Sequence, residues 1–359
     1  MKNKELQTTL DKKGFVFNSC EHSLYLQTTW KLHSQVPLTI PEIAARVRLF
    51  APAEAKKLSE EIRNRNVFAR HSWENSFYVA RAKELSNKTV IEVSREGDPD
   101  TIIEEAQKTA NILEKVLLLS TILGTDRKHF QHSLGIKPYI VNQFNITIGK
   151  NYQYLRSKSR PPSKVEGVTI DERLCRRFFR CKFQELASFC TSSNPLAQRV
   201  ANAVYWIVES RQDPSLAVAC VKSSIALESL LIFDQNEPLR KNLSERAAFI
   251  LSTGAEERKR ISEVVSKFYD ERSKVVHGHG TSILPQIVEN IDIISTSLCL
   301  SIAQNRGLWK AETDLRNWCE DRKWGKPSEF GFPLPRTYLR KAITISMKQG
   351  KMKTAETAM

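Results

Sequence analysis

The strongest constraint in this chain is a succession of amphipathic segments that runs from about residue 170 to residue 307, each joined to the next by only a few residues. "DERLCRRFFRCKFQELASFC" (171–190) opens the series and "NPLAQRVANAVYWIVES" (194–210) follows. "DPSLAVACVKSSIALESLLIF" (213–233) starts with an Asp at the capping position and a Pro at the first helical one. "SERAAFILS" (244–252) starts at a Ser cap, and "AEERKRISEVVSKFYDERSKVVH" (255–277) and "SILPQIVENIDIISTSLCLSIAQNRG" (282–307) are long enough to span a domain. Amphipathic helices with short connections pack as an antiparallel bundle, because each must bury its apolar stripe against a neighbour.

The first part of the chain reads differently. "KTVIEVS" (88–94) and "KPYIVNQFNITIG" (137–149) are rich in β-branched residues and read as strands. "DTIIEEAQKTANILEKVLLLSTIL" (100–123) reads as a helix capped by Asp100 and ended by Gly124, and "PEIAARVRLFAPAEAKKLSEEIRNR" (41–65) as a helix interrupted at Pro52. "RSKSRPPSK" (156–164) reads as an exposed linker. The expected architecture is therefore an N-terminal α+β domain followed by an all-α helical bundle. Its parts are an α+β domain over 1–165, a connecting basic helix over 166–193, the bundle over 194–307 and a C-terminal extension over 308–359.

Charge and cysteine content narrow the function classes. A net charge of +15 favours polyanionic partners such as nucleic acid. Arg173, Arg176, Arg177, Arg180 and Lys182 interleave with Phe178 and Phe179, a pattern that suits either an RNA-binding surface or a solvated face with its aromatic residues turned into the core. Seven cysteines without CxxC spacing suit reduced thiols, and the opening residues have no apolar stretch of the signal-peptide kind, so a cytoplasmic protein without membrane spans is expected. Phosphate-binding Gly-rich loops and the G-x-S-x-G motif are lacking. His277-x-His279 supplies two of the four ligands that zinc needs, so no metal and no cofactor is expected.

Segment 255–277 carries the chemistry. Ile261, Val264, Val265, Phe268, Tyr269, Val275 and Val276 follow one buried stripe, and Arg272 lies inside it. A guanidinium there needs a partner or a polar cleft. Glu228, the lone charge in "IALESLLIF", can pair with Arg272 or with Arg246. His277 follows Arg272 by five residues, about 140° around a helix, so the two side chains line two walls of a cleft or a second copy of the helix completes the site. On the residues alone, the favoured reading of His277 is a cation at the helix C-terminus followed by a Gly278 stop.

"ALESLL" (226–231), "LSERAAFIL" (243–251) and "FYDERSKVVHG" (268–278), in this order, resemble the successive signatures of the HEPN superfamily, in particular its Apea-like branch. The resemblance covers roughly residues 190–307. It implies a dimeric, metal-independent endoribonuclease that serves in antiviral (phage) defence or as a toxin, with Arg272 and His277 catalytic and Ser273, Glu228, Arg246 and Lys274 in support. The implied partners are RNA, a second copy of the chain, and a trigger molecule or regulatory partner at the N-terminal part. The other expectations kept open are a catalytically silent dimerisation or scaffold module and a nucleic-acid sensor.

Overall fold

A computed structural model describes the side chains of residues 104–105, 108–123, 174, 176–234, 236–278 and 283–323, with isolated positions between 53 and 93, and it describes eight strands before residue 171 through their backbone. Two compact units result. One comprises 1–111 and 138–171, the other 112–137 and 172–359.

In the first unit, strands β1 (Cys20–Thr28), β2 (Lys31–Leu32), β3 (Leu38–Ile40), β4 (Arg46–Phe50), β5 (Thr89–Gly97), β6 (Phe144–Gly149), β7 (Leu155–Ser159) and β8 (Thr169–Ile170) pair. Six of them form a sheet in the order β3-β4-β5-β1-β6-β7, antiparallel throughout, with Leu24 opposite Val93. β4 corrects the helix expected over 41–65: "RVRLF" alternates charged and apolar residues with the period of a strand, and it pairs with β5.

Strand pairing does not make this region the expected α+β domain, and that reading is corrected. The residues described with their side chains are about 82% helical, against an α+β reading of the N-terminal part. The long helix assigned to the N-terminal domain is α1 (Pro99–Ile122), and its residues from Ile112 onward belong to the helical unit. There Leu113, Val116, Leu119 and Ile122 are buried, and the Lys115 ammonium lies 2.8 Å from Glu209. β-Branched runs favour extended backbone locally, whereas a domain needs a core shared between its own sheet and helix.

The helical unit continues through α2 (Glu172–Arg180), α3 (Phe183–Cys190), α4 (Pro195–Gln212), α5 (Leu216–Leu231), α6 (Leu239–Leu251), α7 (Ala255–Val276), α8 (Pro285–Gln304) and α9 (Glu312–Lys323). Helix α4 pairs with α5 and α6 with α7, while α8 packs on α3, α4, α5, α6 and α7. That position explains the burial of α8, where Val288, Ile291, Ile294, Leu298, Leu300 and Ile302 are all enclosed. Side-chain caps set the starts of α4 and α5. The Asn194 side chain accepts a bond from the Leu196 N–H at 2.8 Å, and Ser215 rather than Asp213 caps α5. Helix α6 begins at Leu239, five residues before the expected Ser244, whose hydroxyl instead donates to the Lys241 carbonyl within the helix.

The single helix expected over 171–190 is broken between α2 and α3. Lys182 takes a left-handed conformation (φ 63°, ψ 31°), and the break brings Phe178 and Phe183 into a stacked pair 6.0 Å apart in the core. Residues five apart on one straight helix point about 140° away from each other, so burying both phenylalanines together requires the kink. A residue with a Cβ is strained at this φ, and the 2.7 Å pair of Lys182 with Glu185 is exposed and offsets little. Lys182→Gly is therefore expected to stabilise the protein by about 0.5–1 kcal/mol, read as a higher midpoint in urea. A lower midpoint would show that the loss of side-chain contacts exceeds the relief of strain.

The five cysteines with described side chains (181, 190, 220, 299 and 319) are buried and free, and burial pushes the Cys220 and Cys319 thiols up to about 12. Among the described residues no helix is long and apolar enough to cross a membrane. In the C-terminal extension, Trp309 is buried and meets Trp318 edge-on with ring centroids 5.2 Å apart, and residues 324–359 lie outside the described part.

Candidate functional site between α5 and α7

Helix α7 leaves the core gradually. Ile261, Val264, Val265 and Phe268 are buried, Tyr269 and Arg272 are partly exposed, and Val276 is 48% exposed. The stripe read from the sequence is thus a core stripe only as far as Phe268. Beyond it the same helical face forms, with α5, the wall of an open polar site.

Three groups hold the Arg272 guanidinium there. Its Nε donates to the Ser224 hydroxyl at 3.3 Å, its Nη2 lies 3.7 Å from the Glu228 carboxylate, and its central carbon lies 5.4 Å from the centre of the Tyr269 ring. Spacing produces this convergence: Ser224 and Glu228 are one turn apart on α5, as are Tyr269 and Arg272 on α7. The Arg272 and Glu228 side chains keep 22% and 26% of their surface, so the pair is held at the protein surface rather than sealed inside. Ser224 and Tyr269 were not singled out as site residues from the sequence. Their signal is the one-turn offset from a charged residue on an apolar face.

His277 is the first residue past α7. It is exposed, and its backbone N–H donates to the Ser273 carbonyl while Gly278 (φ 73°) turns the chain. Ser273 is partly exposed, and Lys274 is exposed and pairs with Glu271 at 2.9 Å. Arg246 does not join this group. It lies fully inside the bundle, makes two bonds to Glu237 at 2.5 and 2.9 Å, donates to the Leu231 carbonyl and stacks on Phe233. Of the two arginines open to Glu228 in the sequence, Arg272 is the partner.

On the basic segment, Arg176, Arg180 and Lys182 are exposed and Arg177 is partly so, while the side chain of Arg173 lies outside the described residues. Phe178 is fully buried and so cannot stack on a nucleobase. His279 also lies outside the described residues, and among those described no group of three or more His, Cys, Asp and Glu could hold a metal ion.

Burial raises the Glu228 carboxyl above its ordinary value of 4.5, and the nearby Arg272 charge offsets this only in part. Below pH 4.5 the carboxyl is protonated in both folded and unfolded chains. Between that pH and the raised folded value, the folded protein keeps a proton that the unfolded chain has lost. Stability from this group therefore falls as pH rises through that window and stays lower above it. Glu228→Gln is expected to melt at a higher temperature than wild type at pH 7, with the gap closing below pH 4.5. A variant less stable than wild type at pH 7 would mean that the attraction to Arg272 outweighs the loss of hydration.

Compared with protein families, with curated proteins and with solved structures, the chain has no match.

Proposed function

We propose that the helical unit is a metal-independent endoribonuclease of HEPN type, acting as a homodimer in the cytoplasm. The supporting observation is the placement of Arg272: fixed by Ser224, Glu228 and Tyr269, open to solvent, and five residues before an exposed histidine at the end of the same helix. RNA carries its own nucleophile in the 2′-OH, so the protein has to move protons and stabilise charge. His277 takes the 2′-OH proton, the oxygen attacks the adjacent phosphorus, and Arg272 donates to the non-bridging oxygens as negative charge builds on them. The 5′-oxygen leaves with a proton from an imidazolium, which the His277 of a second copy supplies. The products are a 2′,3′-cyclic phosphate and a 5′-hydroxyl. About 140° separates positions 272 and 277 on a helix, which makes two copies meeting at α7 the simplest closed site. Arg176, Arg177, Arg180 and Lys182 would add charge attraction for the RNA backbone.

The role that goes with such an activity is phage defence or a regulated toxin, with the first unit receiving the trigger. A catalytically silent scaffold is the second reading, favoured by the exposure of Val276 and Val218 at 48% and 45%, since apolar side chains on α7 and α5 suit a docking face. The deciding experiment is incubation of purified protein with end-labelled single-stranded RNA in EDTA. Cleavage leaving 2′,3′-cyclic phosphates supports the nuclease. A folded dimer inert toward varied RNAs supports the scaffold, and metal-dependent cleavage leaving 5′-phosphates rejects the mechanism.

A further inference from the structure

We propose that the Tyr269 hydroxyl is a second hydrogen-bond donor of the site, binding a phosphodiester oxygen beside Arg272. This rests on the reading of the site as one that binds RNA phosphate.

The geometry carries the argument. With Nε on Ser224 and Nη2 facing Glu228, the Nη1 of Arg272 makes no hydrogen bond or ion pair to the described residues, and part of the guanidinium is open to solvent. Tyr269 sits one turn earlier, its ring against that guanidinium. Its hydroxyl likewise makes no hydrogen bond to the described residues and is not sealed from solvent. Glu228 faces the Nη2 end of the guanidinium and repels an anion there, so a phosphate would approach at Nη1. Partial burial, and then the negative charge of Glu228, raise the Tyr269 phenol above its ordinary value of 10.0, so it remains a donor throughout the neutral range. Two donors on adjacent turns, one charged and one neutral, match two oxygens of one phosphodiester.

Tyr269→Phe removes the hydroxyl and keeps the ring stacked on Arg272. Two measurements test the role, each against Arg272→Ala as a reference. The first is binding of a fluorescent deoxytrinucleotide, which carries phosphodiesters but no 2′-OH and is too short to span distant basic patches. The second is kcat and KM for RNA cleavage. The variant is expected to melt with wild type and to bind the trinucleotide about ten- to a hundredfold more weakly, the usual range for a bond to a charged group. KM should rise with it. Tyr269→Ala should lose more, because the guanidinium is then unsupported on one face. Unchanged trinucleotide binding by Tyr269→Phe overturns the proposal, and if that variant still cleaves RNA the nuclease reading survives without it. Tyr269-dependent binding by a wild type that cuts no RNA keeps the phosphate subsite and removes the nuclease. A wild type that fails to bind the trinucleotide at millimolar protein overturns the subsite outright.

Discussion

His277→Ala and Arg272→Ala are each expected to lower RNA cleavage by roughly 10²- to 10⁴-fold, while fold and assembly are unchanged. Loss of a positioned proton acceptor costs this much in comparable chemistry, and loss of a donor to the developing phosphorane costs a similar amount. His277 lies outside α7 and is exposed, so truncating it removes little packing. Arg272 bridges α5 and α7, so its alanine variant needs a melting curve beside the assay. Arg272→Lys separates charge from geometry: a lysine keeps the positive charge, but it cannot hold Ser224 and meet a phosphate at once with the planar fork of an arginine. It should recover only part of the rate. DNA should resist, since it lacks the 2′-OH. Equal rates for wild type and both alanine variants would place any catalysis elsewhere in the chain.

Asp292→Ala is expected to destabilise the protein by roughly 3–5 kcal/mol, the cost of removing one partner from a buried ionic cluster. Asp292 is fully buried on α8 and accepts a bond from the Ser223 hydroxyl of α5 at 2.7 Å. Its other oxygen lies 3.7 Å from Arg211 on α4, a side chain only 2% exposed, which also meets Glu289 at 3.4 Å. Ser210 and Ser223 are 2.8 Å apart, so one polar cluster ties three helices at the centre of the bundle. Removing Asp292 takes one of two nearby carboxylates from the enclosed arginine. Asp292→Asn, which keeps an acceptor, should cost less. Replacing the pair by Arg211→Met with Asp292→Leu should recover much of the loss, because apolar groups of similar size need no charge partner there. Urea unfolding of the three variants measures the series, and an unchanged midpoint for Asp292→Ala would show that water reaches the cluster.

The helices from 194 to 304 were legible in the amino-acid order because what makes them is local. Asn194 supplies a cap within two residues, the apolar stripe of 255–276 repeats every turn, and Gly278 ends it with a positive φ. The anomaly of Arg272 inside that stripe was legible too, since it needs only periodicity. Which groups it meets depends on the register of α5 against α7, and periodicity along one helix says nothing about that. Hence Glu228 was open to two arginines until the packing placed Arg246 on Glu237 and Arg272 beside Glu228, Ser224 and Tyr269. The break at Lys182 was hidden for the same reason: "RCKFQEL" has the composition of a helix interior, and only the demand to bury Phe178 against Phe183 bends it. The α+β reading of 1–165 failed at this level as well, because β-branched runs and a helical period identify elements one by one, whereas tertiary contacts assigned 112–122 to the helical unit. Local sequence determined where the backbone turns helical and where charge intrudes on an apolar face. The tertiary structure decided which charges meet, because pairing across helices depends on distances that no short stretch of chain encodes.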